Sequence, residues 1–113
     1  MKTANLNQEK IFNENRPAVQ LMFETDNTKE LRILMKKGQE MEKHQTSFPI
    51  VVHLVSGAID FEVENTTHPL ASGAMLSLNA NVPHSLFAKE ESVIRLSLSK
   101  QDSVNRVKTV AGK

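Results

Sequence analysis

Two histidine-containing stretches decide the fold, Gly38-Gln-Glu-Met-Glu-Lys-His44-Gln-Thr46 and Gly73-Ala-Met-Leu-Ser-Leu-Asn79-Ala-Asn81-Val-Pro83-His84. Each stretch opens on a glycine, which adopts the positive φ of a tight turn without steric cost. In the second stretch, Pro83 fixes its own φ and holds the preceding residue extended, which orients the chain entering His84. Both stretches therefore predict a turn that delivers a histidine to a defined place.

Short apolar segments separated by turn residues surround these stretches. The cleanest alternation lies in residues 58–64, where Ile59, Phe61 and Val63 point to one face and two acidic residues to the other. Candidate strands occupy residues 18–24, 30–36, 50–55, 58–64, 75–78, 84–88 and 92–99. Many short strands without a long helical pattern predict an all-β sandwich or barrel.

The two ends of the chain are polar and predict less. Residues 1–16 form an arm, either a short helix or a loose segment, which Pro17 ends. Residues 65–69 have the composition of a turn. Residues 100–113 show a weak valine rhythm, which we interpret as a frayed tail or a strand exchanged with a partner. The prediction is an arm (1–16), a barrel (17–99) and a tail (100–113).

Composition excludes several classes of function. The 113 residues contain no cysteine, so disulfides, thiol nucleophiles and cysteine-metal sites are ruled out. A net charge of +1 gives no electrostatic case for nucleic acid, and no apolar run approaches the ~20 residues of a membrane helix. The polar beginning lacks the apolar core of a signal peptide. We expect a soluble, cytoplasmic protein with neither nucleic acid nor membrane as partner.

The two stretches resemble the paired signature motifs of the cupin superfamily, G(X)5HXH(X)3–4E(X)6G and G(X)5PXG(X)2H(X)3N. In the first motif the matching positions are Gly38, His44 and Gly57, and in the second they are Gly73 and His84. The resemblance spans roughly residues 31–98 and is to small single-domain RmlC-like cupins of the cupin-2 conserved barrel type. It implies a double-stranded β-helix, or jelly-roll barrel, with a polar N-terminal arm.

The resemblance also implies a metal site, but this sequence lacks two of the four ligands. In cupins the metal is typically bound by two His and a Glu of the first motif and the His of the second. Here Thr46 stands at the second His position and Ile50 at the Glu position, so only His44 and His84 remain. Catalytic metal sites usually need three protein ligands or more. We expect at most a weakly bound divalent metal as cofactor. Other polar candidates are Glu40, Glu42, Gln45 and His53.

The residues leave the role of the histidine pair open. Either ring alone is adequately explained as a buried histidine that hydrogen-bonds to the backbone, whereas their joint position at two cupin ligand sites favours a pocket lined by His44, Thr46, Ile50 and His84. His53 is interpreted as a packing or subunit-interface residue. No catalytic residue is assigned, because no Asp–His relay accompanies any serine.

Three functions remain as hypotheses. The first is a small-molecule-binding cupin without a strong metal site, in which His44 and His84 are the polar groups of a mostly apolar pocket. The second is a metal-dependent cupin enzyme of the dioxygenase, isomerase or decarboxylase type, which needs an unrecognised third ligand. The third is a stand-alone sensor or regulatory module. The resemblance further implies a homodimer, and the row Val51, His53 and Val55 is apolar enough to be covered by another subunit.

Overall fold

The computed structural model describes residues 1–112 and contains nine strands and one helix. The elements are β1 (Ala18–Glu24), β2 (Thr28–Met35), β3 (Glu40–His44), β4 (Ile50–Ser56), β5 (Ala58–Val63), β6 (Thr66–Ala71), β7 (Met75–Leu78), β8 (His84–Ala88), β9 (Ser92–Ser99) and α1 (Val104–Ala111). The predicted all-β class is confirmed.

The strands form two sheets that pack face to face. The five-stranded sheet has the order β1-β2-β9-β4-β7, the four-stranded sheet has the order β3-β8-β5-β6, and all pairs are antiparallel. Between β4 of the five-stranded sheet and β5 of the four-stranded sheet the chain has only one residue, Gly57. Its φ of +107° lies in the region that glycine tolerates.

The core fills the space between the sheets. Along β4, Ile50, Val52 and Leu54 are buried, while the alternate residues are partly exposed. On β5 the inward side chains Ile59 and Phe61 are fully buried. This alternation is the period-2 pattern expected of strands with one face on a core.

Two strands were not predicted. β3 is one edge of the four-stranded sheet and buries only Met41, and β6 is the opposite edge and buries no side chain. Residues 65–69, predicted as a turn, lie mostly within β6. The turn itself is tighter and lies at Glu64 and Asn65, which both have positive φ. An edge position also accommodates Pro69, which has no N–H to donate.

The N-terminal arm is held by a buried arginine rather than by helix formation. The Arg32 side chain on β2 donates to the carbonyl oxygens of Leu6 (3.2 Å), Gln8 (2.6 Å) and Glu9 (3.1 Å). It also donates to the Gln20 side chain at 2.6 Å. These bonds satisfy most of the donors of a guanidinium that is only 2% exposed.

The tail prediction is wrong, because residues 104–111 form helix α1. Ser103 is its N-cap and accepts a hydrogen bond from the Arg106 amide. Val107, Val110 and Ala111 are buried, and α1 packs against β1 and β3. The valines recur at three-residue spacing because one face of the helix covers the barrel.

Among residues 1–112, no helix is both long and apolar enough to cross a membrane.

Candidate functional site

The two motif histidines meet at one end of the barrel. His44 is the last residue of β3 and His84 the first of β8, and the two are direct partners in the register of these neighbouring strands. Their ring centroids are 4.2 Å apart, with 58° between the ring planes. On its other side His84 stacks on Phe61, at a centroid distance of 5.5 Å and 11° between planes. The fold thus brings together the residues that the motif spacing singled out.

A left-handed turn at Asn81 connects the two motif stretches. Asn81 has a φ of +65°, and its amide donates to the Thr46 carbonyl oxygen at 2.7 Å. Asparagine is one of the few non-glycine residues that visit this region routinely. The loops before β8 and after β3 are therefore fixed to each other beside the histidines.

Backbone contacts determine the tautomer of both rings. His44 Nδ1 lies 2.6 Å from the Glu42 carbonyl oxygen, and His84 Nδ1 lies 2.9 Å from that of Val82. Because a carbonyl oxygen only accepts, each Nδ1 carries the hydrogen, and Nε2 of the neutral ring bears a lone pair. No hydrogen bond to either Nε2 is formed by residues 1–112. The site therefore offers two adjacent acceptors.

Burial keeps both rings neutral. The pKa of His44 is lowered to about 4, chiefly by desolvation and then by the nearby charges of His84 and Arg106, against the raising effect of its bond to Glu42. The pKa of His84 is also lowered, chiefly by desolvation and then by Arg106, against the raising effect of its bond to Val82. At neutral pH the pair is uncharged and accepts hydrogen bonds.

Both rings line a small, partly open cavity in the barrel. Its volume is about 20 Å³, close to the space one water molecule needs. Eight of its lining residues are apolar and the other three are the two histidines and an arginine. The lining residues are Ile33, Met41, His44, Ile50, Val52, His84, Leu86, Ile94, Leu96, Arg106 and Val107. The cavity is thus an apolar chamber with one polar end.

Helix α1 supplies part of the cavity wall through Arg106 and Val107. Arg106 is paired in a two-pronged contact with Asp102, from Nε to Oδ1 at 2.9 Å and from Nη2 to Oδ2 at 3.1 Å. The Thr46 hydroxyl donates to the same carboxylate at 2.7 Å. Asp102 therefore joins α1 to the loop that follows β3.

The Asp102 carboxylate is well satisfied despite its burial. Desolvation alone would raise its pKa, but hydrogen bonds from Arg106, Thr46 and the Ser103 amide, with the charge of Arg106, hold the pKa below its usual value. Asp102 is 5% exposed, whereas a quarter of the Arg106 side chain reaches solvent. The carboxylate is therefore ionised at neutral pH and anchors the start of α1.

The predicted pocket residues separate into two groups. His44, Ile50 and His84 line the cavity, as the prediction of the pocket requires. Thr46 does not line it, because its buried hydroxyl is turned to Asp102. The predicted set also omitted Arg106 and Val107, which come from the segment interpreted as a tail.

The candidates for completing a metal site lie elsewhere. Glu40 and Glu42 are exposed on β3. His53 is on β4, facing away from Ile50, and its Nδ1 accepts from Arg95 at 3.4 Å. Within residues 1–112, no group of three or more His, Cys, Asp or Glu side chains is placed to hold a metal ion.

Comparison with known proteins gives matches in structure only. No protein-family model matches the chain, and no curated protein does. An RmlC-like cupin from Desulfovibrio desulfuricans matches with a TM-score of 0.81 and 24% identity over 88% of this chain and 96% of its own. A double-stranded β-helix protein from Klebsiella pneumoniae matches with a TM-score of 0.76 and 15% identity over 88% and 89%.

A conserved protein of unknown function from Streptococcus pyogenes also matches, with a TM-score of 0.75 and 22% identity over 90% of both chains. Each of these neighbours matches over most of its own length. The structure and these matches show that the chain is a small domain with the RmlC-like cupin fold, a double-stranded β-helix.

Proposed function

We propose that this protein binds a small molecule at the His44–His84 end of the barrel and does so without a resident metal. The observation that carries the proposal is the pair of neutral imidazoles, each with Nδ1 bonded to backbone and Nε2 available, at the polar end of an apolar cavity. A few convergent polar groups in an apolar chamber are the usual plan of a ligand pocket.

The same chemistry limits the ligand class. Two Nε2 acceptors require a ligand that donates hydrogen bonds, such as a hydroxyl or amide group. The surrounding walls, which include Ile33, Ile50 and Leu86, favour a compact apolar body. We therefore propose a small, largely apolar molecule that carries one or two donor groups.

A thermal-shift screen of small alcohols, phenols and amides tests the proposal. At a concentration 100-fold above its Kd, a ligand stabilises the folded protein by about 2.7 kcal/mol, which corresponds to roughly 10 °C in Tm. We expect His44→Leu and His84→Leu to weaken a hit about tenfold each, the value of one buried hydrogen bond. Each variant is compared with its own unliganded Tm.

The matched control is His53→Leu, which removes an imidazole from the outer face of the same barrel. It should bind the hit with unchanged affinity. Hits that bind all three variants equally would contradict the proposed site, and a screen of these chemical classes without any hit would contradict the proposed function.

The alternative of a metal-dependent cupin enzyme starts from the same two rings, since a ring whose Nδ1 is bonded to backbone presents Nε2 as metal-binding histidines do. The residues present do not fit such a metal, however. The structure brings only two imidazoles together, and Arg106 places a permanent positive charge beside both. Cation binding would oppose that charge.

Metal analysis separates the alternatives. Protein purified without a chelator or an affinity tag is expected to carry fewer than about 0.1 equivalents of iron, manganese, nickel or zinc, because two ligands give a weak site. A stoichiometric metal that disappears in His84→Leu would contradict this and favour the enzyme.

A further inference from the structure

We propose that helix α1 is a gate over the His44–His84 cavity and that the Asp102 carboxylate is its latch. The inference rests on the proposed function, because it states how a ligand reaches that same site. It also assigns roles to Asp102 and Arg106, which the two histidine motifs do not include.

With α1 in place, the cavity is too small for the proposed ligand. It measures about 20 Å³, whereas pockets for small molecules are typically about 300–1,000 Å³. A ligand with an apolar body therefore needs part of the wall to move. Such a movement also widens the opening of the cavity.

Helix α1 is the wall of the cavity that is least tied to the rest of the barrel. The remaining lining residues lie on strands β2, β3, β4, β8 and β9, which are hydrogen-bonded into the two sheets. Helix α1 has eight residues and contacts β1 and β3 through side chains. A helix this short is marginal without tertiary packing, so it can leave while the sheets stay intact.

The Asp102 latch lies between α1 and the loop that follows β3. The Asp102 carboxylate accepts from Thr46 at 2.7 Å and pairs with Arg106 on the helix. The Thr46 carbonyl oxygen in turn accepts from the Asn81 amide. Asp102 thus holds α1 to the loop that follows His44, and through it to the loop that precedes His84.

Displacement of α1 removes both Arg106 and Val107 from the cavity wall. The apolar space that Val107 fills and the polar end beside Arg106 then become available together. Helix and ligand compete for one volume, so the gate sets the apparent affinity of the site by the fraction of molecules in which α1 is displaced.

The chemical reactivity of His84 measures the opening directly. His84 is 3% exposed, so diethyl pyrocarbonate, which is much larger than the cavity, reaches its Nε2 only when α1 has moved. The rate is followed at pH 7 by peptide mass spectrometry, with exposed His68 as internal standard. In the wild-type protein we expect His84 to react at least about 100-fold more slowly than His68, as a site does that reacts only in a minor open state.

The test compares Asp102→Asn with Glu30→Gln. Glu30 accepts from Arg95 and from the Ser97 hydroxyl on the outer face, so it has the same kinds of partner as Asp102 but lies away from α1. We expect Asp102→Asn to raise the His84 rate about tenfold, because it removes the charge-assisted pair that holds the helix. Glu30→Gln should change the rate less than about twofold, since the partners of this partly buried carboxylate lie on β9 and none lies on α1.

Each outcome decides the question. An equal rise in both variants would show that His84 reacts through general destabilisation and would overturn the gate. So would a wild-type His84 that already reacts as fast as His68, or an Asp102→Asn rate that stays at the wild-type value.

A second measurement on the wild-type protein covers the case in which Asp102→Asn does not fold. In native-state hydrogen exchange, the α1 amides of residues 107–111 should exchange at least about tenfold faster than those of β4 and β9, through a local opening. If these α1 amides exchange only with the global unfolding of the barrel, there is no gate.

The gate and the proposed function fail in distinguishable ways. His84 reactivity and α1 exchange report the opening whether or not any ligand binds. An opening helix with no hit in the screen contradicts the function alone, and a hit that binds without any change at α1 contradicts the gate alone.

Discussion

A Gly57→Ala variant is expected to lose about 3–5 kcal/mol of unfolding free energy, the sum of backbone strain and overpacking in a tight site. The residue has a φ of +107°, which L side chains rarely adopt. An added Cβ would also lie 2.5 Å from the Glu91 carbonyl oxygen and 2.7 Å from Ser92 Cα, and would collide with the Ser92 hydroxyl. Two of these three atoms belong to the backbone, so they cannot move aside cheaply.

Gly73→Ala is the matched control for this effect. Its φ of +95° imposes similar strain, but a Cβ there would meet nothing within 4 Å. We expect a loss of only about 1–2 kcal/mol, the cost of a left-handed residue alone. Urea unfolding of both variants gives the comparison. Equal losses would contradict this explanation. In it, Gly57 is irreplaceable because it lies in close contact with Glu91 and Ser92 at the start of β9.

The second large effect is a loss of stability in mild acid. His44 has a pKa of about 4 in the folded protein against an ordinary value of 6.5, and the pKa of His84 is lowered as well. Between these values the unfolded chain binds protons that the folded protein does not, so unfolding free energy falls as the pH falls. The stability is fully present above pH 6.5 and is lost progressively towards pH 4.

The magnitude follows from the same shift. We expect a loss of about 2 kcal/mol from His44 between pH 6.5 and 4, after allowing for its partial exposure, and a further loss from His84. Asp102 adds little slope above about pH 5, because the stability from its lowered pKa is lost as the pH falls through and below the ordinary carboxyl value of 3.8. Both histidines therefore lower the unfolding free energy as the pH falls, and Asp102 does not oppose this trend.

Urea unfolding at half-unit steps from pH 4.5 to 7 measures the slope. His44→Gln and His84→Gln should each flatten it, and the double variant should remove most of it. His68→Gln, at an exposed position on β6, serves as the control and should keep the wild-type slope. A wild-type stability that is flat across this range would show that the two rings are not held neutral by burial.

The sequence predicts well those elements whose side chains are sorted between core and solvent. β5 and β9 alternate clearly and match their predicted positions closely. β3 and β6 were not predicted because both are edges of the four-stranded sheet and bury almost no side chains, so no alternation marks them. An edge strand is held by backbone hydrogen bonds to one neighbouring strand, and these bonds do not depend on the pattern of side chains.

The candidate site could be predicted only as far as the motif spacing reached. That spacing places His44 opposite His84, and the structure pairs them in register. Asp102 and Arg106 carry no such signal, because an acidic and a basic residue four positions apart are usually a solvated pair. Asp102 is joined to the barrel by a hydrogen bond from Thr46, which is 56 positions away in the chain.

The most direct test of the central claim is the state of the imidazole nitrogens in ¹⁵N-histidine-labelled protein at pH 7, with and without a hit from the ligand screen. We predict that His44 and His84 are neutral with the hydrogen on Nδ1, and that the ligand shifts Nε2 of both rings while His53 and His68 stay unchanged. Protonated rings, hydrogens on Nε2, or ligand shifts confined to His53 and His68 would contradict a ligand site at the histidine pair.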